Sequence, residues 1–499
     1  MSKFLRIASI LADNAASADQ QIQWVLTQAD VIELRLDLWR NLELETIIDL
    51  RKRLTLPVIF TLRSKNQGGY CELPENERLS WLEKLAELHP EYLDVEYDIS
   101  KDWLNSLRSR FPKITIIGSF HDFTGVPENL QQTLTMVADP AFNILKIVVF
   151  AHHLDQALRF MIFTRTVQLD CPLIAFAMGE SGQISRILAP IIGSLATYGC
   201  IDAEHQTAPG QLTLSELNDV YHVAQLNRHT HIYALLGDPV TQSPGHKFHN
   251  RMFLELGKNA VYVKCRVPPE RLAATVTLMK QLPFFGFSVT IPHKETIVAY
   301  LDRLIGDAEQ IKIVNTIKVE DQAYIGYNTD AVGAVSVLEE YGPLENKRCL
   351  ILGAGGSAKA LAFAILCKNA EVTLCNRTFV RAQLFIEKFG GKAIDFETLF
   401  ASSDFPYDIV INTLPKDAYE AQCGNWQIPA TASGIAMEIV LKPLETLFVK
   451  TTKIAGWHGI TGDKLFAAQA IRQLKIWFDL QDSIIDLDGI IRVVLASNP

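Results

Sequence analysis

The sequence lacks closely spaced cysteines, long apolar runs and an excess of positive charge. Its eight cysteines are scattered over 499 residues with no Cys-x-x-Cys spacing, so neither a disulfide framework nor a zinc or other metal site is predicted. The apolar runs are short, and the N-terminus has no long apolar region with a cleavage site, which argues against a membrane or secreted protein. A net charge of −9 disfavours a nucleic-acid partner. We therefore expect a cytoplasmic protein with neither membrane nor nucleic-acid partners.

Length and composition indicate several globular domains. Hydrophobic residues make up 48% of the chain and charged residues 21%, as in ordinary globular proteins. The 499 residues are too many for one ordinary domain and enough for two or three, each with its own core.

The first half, to about residue 227, alternates short apolar runs with amphipathic stretches typical of helices. Eight such units predict a (βα)8 barrel. The alternative is an open doubly wound sheet, which usually has fewer strands, and no glycine-rich phosphate turn occurs in this half. The apolar runs cover residues 6–11, 31–36, 57–62, 92–95, 114–119, 144–149 and 173–178, and a weaker run surrounds Cys200.

Polar residues occur where the predicted barrel strands end, which is where barrel enzymes carry their chemistry. Lys146 interrupts an apolar strand; if it points inward, burial and nearby arginines favour the neutral amine that attacks a ketone. The alternative is a lysine extending from the outer face. His121 is the candidate base that takes a proton next to the imine and returns it to a leaving hydroxyl. The other polar residues at these strand ends are Glu33, Arg35, Asp37, Arg63 and Asp122.

Ordered motifs in this half resemble those of type I 3-dehydroquinate dehydratase. They are ELRLD at Glu33, TLRS at Thr61, SFHDF at Ser119, the strand lysine, MGESGQISR at Met178 and TAPGQ at Thr207. The resemblance implies Lys146 as the Schiff-base lysine, His121 as general acid and base, and Arg186 as partner of a substrate carboxylate. The substrate-binding set that it implies is Ser9, Glu33, Arg35, Arg63, Arg186, Thr207 and Gln211.

Two positions depart from the common dehydratase pattern. Thr207 replaces a serine but keeps its hydroxyl, whereas Gln67 replaces an acid often found in the loop after Arg63 and cannot ionise. The role of that loop in orienting His121 is therefore open.

The second half contains a strand, a tight turn and a helix in RCLILGAGGSAKA, residues 348–360. Gly353 permits a sharp turn, Gly355 lets backbone N–H groups approach a pyrophosphate, and small Ala358 allows close packing of helix on strand. The helix N-terminus would then face the phosphates. The alternative is a tight turn that binds no nucleotide.

The next predicted strand, residues 371–375, ends in Asn376, Arg377 and Thr378, with Arg381 following. NAD-binding proteins place an acid here for the ribose hydroxyls, whereas guanidinium groups suit a 2′-phosphate. The sequence therefore predicts NADP rather than NAD, with an exposed basic turn as the alternative.

A new fold begins after the polar stretch at residues 227–231. Polar residues at later strand ends would be turn residues if taken singly, but beside a nucleotide site they fit the substrate half of a dehydrogenase. These residues are Ser243, Lys294, Asn315 and Asp330.

From Ile232 onward the sequence resembles shikimate dehydrogenase in VTIPHK, IVNTI, YNTD, GAGGSAKA, NRT and GITGDKLFAAQA. The resemblance implies Lys294 and Asp330 as the catalytic pair, with Lys294 serving proton transfer. It implies a substrate-binding set of Ser243, Thr290, Asn315, Asp330 and Gln469, the last carried on helices that fold back onto the substrate domain. The cofactor-binding set that it implies is Gly353, Ala354, Gly355, Gly356, Ser357, Ala358, Asn376, Arg377, Thr378, Arg381, Ile439 and Gly462.

This half also departs from the shikimate dehydrogenase pattern that it resembles. Gly245 stands where a second serine is usual, His246 replaces a proline, and Leu441 replaces a substrate-contacting tyrosine. Two hydroxyls that would hold the substrate carboxylate are missing, so His246 or Lys247 is the candidate replacement donor.

Together these features predict an α/β protein of three domains. They are a (βα)8 TIM barrel at residues 1–228, a substrate domain at 229–338 completed by helices at 464–499, and a Rossmann domain at 339–463. The resemblances imply that the barrel dehydrates 3-dehydroquinate and that the second half reduces 3-dehydroshikimate to shikimate with NADPH. Two alternatives remain open: a Schiff-base aldolase fused to an NAD(P) dehydrogenase, and a metabolite sensor without catalysis.

Overall fold

The computed structural model describes residues 3–402, 404–424, 426, 428–429 and 434–481. They form two compact units, the first containing a barrel and the second containing most of two further sheets. Within this described part of the chain, no helix combines the length and the apolar character needed to cross a membrane.

The first sheet is a nearly closed parallel barrel, which confirms the predicted fold. Its strands are β1 Leu5–Ile10, β2 Val31–Arg35, β3 Val58–Thr61, β4 Tyr92–Glu96, β5 Thr115–His121, β6 Ile144–Phe150, β7 Leu173–Met178 and β8 Ala196–Gly199. Ladders run from β7 in descending order to β1 and on to β8. The Leu195 N–H donates to the Leu173 carbonyl at 2.7 Å beside the remaining gap. The last strand ends before Cys200 instead of surrounding it, because Cys200 bridges to Thr213.

Helices connect the barrel strands. They are α1 Ala15–Val25, α2 Leu44–Arg53, α3 Glu75–Ala86, α4 Lys101–Arg110, α5 Leu130–Val137, α6 Leu154–Thr166, α7 Gln183–Ile187 and α8 Ala189–Ile192. Helix α1 begins at Ala15 because the Asn14 side chain accepts the Ser17 N–H and caps the helix. In α6, Leu154, Leu158 and Met161 are buried at helical spacing, which gives the helix one apolar face.

The second sheet is mixed, with order β10-β9-β11-β13-β14-β12. Its elements are β9 His231–Gly237, α9 Gly245–Glu255, β10 Ala260–Arg266, α10 Leu272–Met279, β11 Phe284–Val289, β12 Arg303–Leu304, α11 Asp307–Ile311, β13 Thr316–Glu320, β14 Ala323–Tyr327 and α12 Thr329–Glu339. Strand β13 is antiparallel to both β11 and β14, with Thr316 paired to Ser288 and to Tyr327. The end of β11, the start of β13 and the end of β14 therefore lie side by side.

The third sheet is parallel, with order β17-β16-β15-β18-β19-β20 among the described residues. Its elements are β15 Arg348–Leu352, α13 Gly356–Leu366, β16 Glu371–Cys375, α14 Phe379–Phe389, β17 Lys392–Ile394, α15 Phe396–Ala401, β18 Ile409–Asn412, α16 Lys416–Cys423, β19 Ile435–Glu438, α17 Leu447–Ile454, β20 His458–Ile460 and α18 Gly462–Phe478. The chain order reverses between β15 and β18, and nucleotides bind in the crevice at such a switch point.

Helix α18 packs against the second sheet. Its Trp477 indole N–H donates to the Ile317 carbonyl of β13 at 3.0 Å. A Cβ on Gly333 of α12 would lie 3.2 Å from the Gln469 backbone nitrogen, so the two helices are in close contact. Residues 482–499 of the predicted C-terminal helices lie outside the described residues.

Candidate active sites

The residues that the sequence singled out in the barrel line one cavity. They are Ser9, Glu33, Arg35, Arg63, His121, Lys146, Arg186, Thr207 and Gln211. Asp37 and Asp122 do not line it. Asp37 accepts two hydrogen bonds from Arg35, at 2.9 and 2.8 Å, and Asp122 accepts the Thr124 N–H at 2.8 Å.

Lys146 points into the barrel and is only 4% exposed, so the alternative of an outward lysine is wrong. Its Nζ lies 3.1 Å from Asp94 Oδ2 and 3.5 Å from Glu33 Oε1. The nearest charges are therefore carboxylates, not the arginines that the sequence suggested. The Nζ also lies 4.4 Å from the centre of the Tyr198 ring, a distance that allows a cation–π contact.

The two carboxylates beside Lys146 are held by hydrogen bonds of their own. Asp94 Oδ1 accepts from Arg63 Nη2 and from Ser119 Oγ, both at 2.7 Å. Burial acts to raise the pKa of Asp94, but the charges of Arg63 and Lys146 outweigh it and lower that pKa. Glu33 accepts from Ser9 Oγ at 2.7 Å. Both acids are thus fixed in position, and the lysine is fixed between them.

His121, at the end of β5, stands in a strongly positive environment. The pKa of His121 is held well below its ordinary value, mainly by burial. The charges of Arg63, Lys146 and Arg35 lower it further. The imidazole is therefore neutral near pH 7 and can accept a proton. Its Nδ1 is buried without a hydrogen-bond partner among the described residues. Its ring stacks on Phe123 with centroids 6.2 Å apart.

Arg186, on α7, is a buried cation with unused donors. Its Nε and Nη2 have no acceptor among the described residues, and its guanidinium carbon lies 4.2 Å from the Phe176 ring centre. Burial lowers its pKa to about 10, which still leaves it charged near neutrality. Its Nη1 donates to the Tyr198 carbonyl at 3.5 Å, and the two unused nitrogens fit a ligand carboxylate, which can take two parallel hydrogen bonds.

The loop after β8 is folded back on itself. Gln211 Oε1 accepts the Thr207 N–H at 2.8 Å and the Thr207 hydroxyl at 3.0 Å. The Gly179 N–H donates to the Pro209 carbonyl at 3.0 Å. Gly210 has φ +74°, and a Cβ there would lie 2.2 Å from the Gly179 carbonyl oxygen. Only glycine permits this close approach.

Sequence reasoning missed Asp94, Glu96 and Tyr198. The two acids alternate within YLDVE of β4. They carry the same signal as Lys146, a charged residue inside a predicted barrel strand. Glu96 Oε2 accepts from Arg78 at 2.6 Å. The Tyr198 hydroxyl is buried without a partner among the described residues, and no pattern in the sequence marks it.

The second candidate site surrounds Lys294. Its Nζ donates to Asp330 Oδ2 at 2.6 Å and to Ser357 Oγ at 2.8 Å. Asn315 Nδ2 donates to the other Asp330 oxygen at 2.7 Å. The side-by-side ends of β11, β13 and β14 bring these residues together, because Asn315 precedes β13 and Asp330 opens α12.

Among the described residues, the other predicted substrate residues form no hydrogen bond to Lys294 or Asp330. Thr290 follows β11, and Ser243 Oγ accepts the Gly245 N–H at 3.2 Å where α9 begins. Gln469 Nε2 donates to the Phe466 carbonyl at 3.2 Å within its own helix. Gln473, one turn later and not predicted, donates to Thr316 Oγ1 at 3.2 Å and accepts from Ser288 at 3.0 Å.

The nucleotide turn has the geometry that its sequence predicts. Gly353 has φ +113°, and a Cβ there would lie 2.4 Å from Thr413 Oγ1. Gly355 is the N-cap of α13, and no side chain caps that helix. Its first N–H groups are therefore available to a phosphate. Ala358 is fully buried against the sheet.

The basic turn after β16 is exposed. Asn376 Nδ2 donates to the Thr378 carbonyl at 2.9 Å and closes the turn. Arg377 and Arg381 are exposed and form no ion pair with the described residues, so both are free to contact a phosphate. At the far side, a Cβ on Gly462 would lie 2.3 Å from the Val440 carbonyl, beside Ile439. The residues present therefore fit a dinucleotide that carries an additional phosphate.

Three family models match successive parts of the sequence. They are type I 3-dehydroquinase over residues 7–228, the shikimate dehydrogenase substrate binding domain over 235–317, and shikimate/quinate 5-dehydrogenase over 336–416.

The chain is also similar to curated proteins. It is 31% identical over 478 residues to the chloroplastic bifunctional 3-dehydroquinate dehydratase/shikimate dehydrogenase of Arabidopsis thaliana, covering 91% of this chain and 78% of that protein. It is 32% identical over 476 residues to the shikimate biosynthesis protein AroDE of Chlamydia pneumoniae, covering 94% of each. It is 35% identical over 274 residues to the shikimate dehydrogenase (NADP(+)) of Methanocaldococcus jannaschii, covering 52% of this chain and 95% of that protein. The chain therefore belongs to the family of bifunctional 3-dehydroquinate dehydratases/shikimate dehydrogenases.

Proposed function

We propose that the chain catalyses two consecutive reactions of the shikimate pathway. The barrel dehydrates 3-dehydroquinate to 3-dehydroshikimate, and the second half reduces 3-dehydroshikimate to shikimate with NADPH. The family supports this proposal, as do the Arabidopsis relative, whose name gives both activities, and the Chlamydia relative, named as a shikimate biosynthesis protein. The substrates are small molecules, and we propose that the enzyme works in the cytoplasm.

In the barrel, Lys146 Nζ attacks the ring ketone and forms an imine with loss of water. The imine acidifies the neighbouring carbon, and His121 takes the proton from it. His121 then returns this proton to the hydroxyl that leaves from the next carbon. Hydrolysis of the imine restores Lys146, so the net change is loss of one water. Arg186 holds the substrate carboxylate, while Asp94 and Glu33 fix the lysine.

In the second half, Lys294 delivers a proton to the carbonyl oxygen of 3-dehydroshikimate. Asp330 keeps the ammonium of Lys294 in place through the 2.6 Å contact, and Asn315 fixes Asp330 in turn. NADPH, when bound, supplies the hydride for the carbonyl carbon. Gly353, Gly355 and the N-terminus of α13 would hold its pyrophosphate, and Arg377 with Arg381 its 2′-phosphate.

We propose the same three domains that the sequence predicted, at 1–228, 229–338 with 464–499, and 339–463. The first two matched families lie within these bounds, at 7–228 and 235–317, and the third, at 336–416, begins three residues before the third domain. The packing of α18 on the second sheet supports assigning it to the substrate domain.

The observation that carries the proposal is that Lys146 shares one cavity with His121 and three arginines. This combination supplies an imine-forming amine, a neutral base and cations for a carboxylate in one place. An aldolase would share the lysine, and a sensor would share the cavity. Only a measurement of turnover distinguishes these alternatives from the proposed function.

A two-substrate assay on the purified full-length chain tests the proposal. With 3-dehydroquinate alone, we expect the ultraviolet absorbance of a conjugated enone to appear, because dehydration places a double bond beside the ketone. Addition of NADPH should then consume the enone and the cofactor in equal amounts. Binding of either substrate without turnover would favour the sensor, and cleavage of a sugar phosphate would favour the aldolase.

A further inference from the structure

Gln67 lies inside the dehydratase cavity, at the position where the sequence resemblance implies an acid. It ends the short helical turn Lys65–Gln67 after β3. The side chain is 7% exposed and lines the same cavity as His121 and Lys146. A neutral amide is therefore close to the proposed base.

The orientation of this amide is fixed by His121. Gln67 Oε1 accepts the backbone N–H of His121 at 2.9 Å. Only the carbonyl oxygen of the amide can accept a hydrogen bond. The NH2 group therefore points away from the His121 N–H, and it can only donate. Within the described part of the chain, Nε2 makes no hydrogen bond. Its two N–H donors are thus available to a ligand.

The loop that carries Gln67 has a closely constrained path. Gly68 has φ +73°, and a Cβ there would lie 2.1 Å from the Phe123 ring. The Gly69 N–H donates to the Ser64 carbonyl at 2.8 Å. Phe123 itself stacks on the imidazole of His121. The loop, Phe123 and His121 therefore form one packed unit, which holds the amide in place.

The charges that act on His121 are positive. Arg35 from β2, Arg63 after β3 and Lys146 from β6 add to burial in lowering its pKa. The other ionisable groups that line the cavity are Glu33, Arg186 and Tyr198. Glu33 is engaged with Ser9 and Thr61. An acid at residue 67 would oppose the positive charges, and the glutamine does not.

We propose that Gln67 positions His121 through its carbonyl oxygen and recognises an oxygen of the bound substrate through its NH2 group, so that residue 67 contributes no carboxylate to the dehydration. This inference rests on the dehydratase function proposed above.

The test uses the full-length chain with Gln67→Glu and Gln67→Met. Gln67→Glu keeps an acceptor for the His121 N–H but removes the donor and adds a charge. We expect the acid limb of its kcat/KM profile for 3-dehydroquinate to move to higher pH by about one unit or more.

Gln67→Met keeps the length but loses both polar contacts. We expect it to raise KM about three- to tenfold, the loss of one uncharged hydrogen bond, and to lower kcat because His121 is less well held.

Gln132→Glu on α5 is the matched control, because it adds the same charge at an exposed position and should leave the profile unchanged. Near-ultraviolet circular dichroism checks that each variant keeps its packing. A Gln67→Glu profile identical to that of the wild type, or unchanged kinetics in Gln67→Met, would overturn the inference while leaving the dehydratase function standing. Absence of turnover in the wild type would overturn both.

Discussion

The ammonium group of Lys294 donates a hydrogen bond to Ser357 Oγ at 2.8 Å. A side chain from the nucleotide turn therefore contacts the residue proposed for proton transfer. Ser357→Ala removes this acceptor but keeps the backbone N–H groups of the turn. We expect kcat for 3-dehydroshikimate reduction to fall by about two- to tenfold, the net value of one hydrogen bond, with little change in KM for NADPH.

Dehydration of 3-dehydroquinate by the same variant serves as the internal control and should be unaffected. A large rise in KM for NADPH with normal kcat would instead assign Ser357 to cofactor binding alone.

Arg186→Met tests the proposed carboxylate partner. The substitution removes a charge-assisted contact worth about 1.5 to 3 kcal/mol, so we expect KM for 3-dehydroquinate to rise by about one to two decades. Because Nε and Nη2 of this buried cation have no acceptor among the described residues, the barrel should unfold at the same or a higher temperature. Arg186→Lys, which keeps the charge, should recover part of the affinity. Unchanged KM with reduced thermal stability would show that Arg186 supports the fold and not the substrate.

Arg377→Ala tests the choice of cofactor. The exposed guanidinium has no partner among the described residues and is proposed to bind the 2′-phosphate. Affinity for NADPH should fall by about one to two decades, as expected for a charge-assisted contact of about 1.5 to 3 kcal/mol, and affinity for NADH should change little. Fluorescence titration with each cofactor measures the two affinities. Equal losses of affinity for NADPH and NADH would refute the assignment of Arg377 to the 2′-phosphate.

His246→Ala and Lys247→Ala address the substrate carboxylate in the reductase half. Gly245 and Leu441 lack the hydroxyls that the sequence resemblance implies for this site, and His246 and Lys247 lie in the first turn of α9. We expect one of the variants to raise KM for shikimate in the reverse reaction while NADP+ binding stays intact. Gly245→Ser should lower KM if a hydroxyl is what the site lacks. Normal KM in both alanine variants would place the donor elsewhere.

Much of the fold could be predicted because local patterns and tertiary structure agree. The apolar runs correspond to the barrel strands, and residues 371–375 match β16 at both ends. The start of α1 and the end of β8 could not be predicted in this way, because a cap at Asn14 and a bridge at Cys200 set them. Such side-chain and long-range contacts leave no periodic signal in the sequence.

The candidate sites were predictable where a polar residue interrupts an apolar strand or stands at its end. Lys146 and His121 are of this kind. The ion pairs of Lys146 with Asp94 and Glu33 could not be predicted, because they join three separate strands and depend on barrel closure. The hydrogen bond from His121 to Gln67 likewise joins the end of β5 to a loop that is distant in sequence, so the sequence left the role of the glutamine open.

Borohydride trapping tests the central claim, that the barrel works through an imine on Lys146. Reduction of the enzyme in the presence of 3-dehydroquinate should fix a covalent adduct on the peptide that contains Lys146, seen by mass spectrometry, and should abolish dehydration. Lys294→Ala should trap equally well, whereas Lys146→Ala should trap nothing and still reduce supplied 3-dehydroshikimate at a near wild-type rate. An adduct on another lysine, or loss of the reductase in a folded Lys146→Ala protein, would contradict the account.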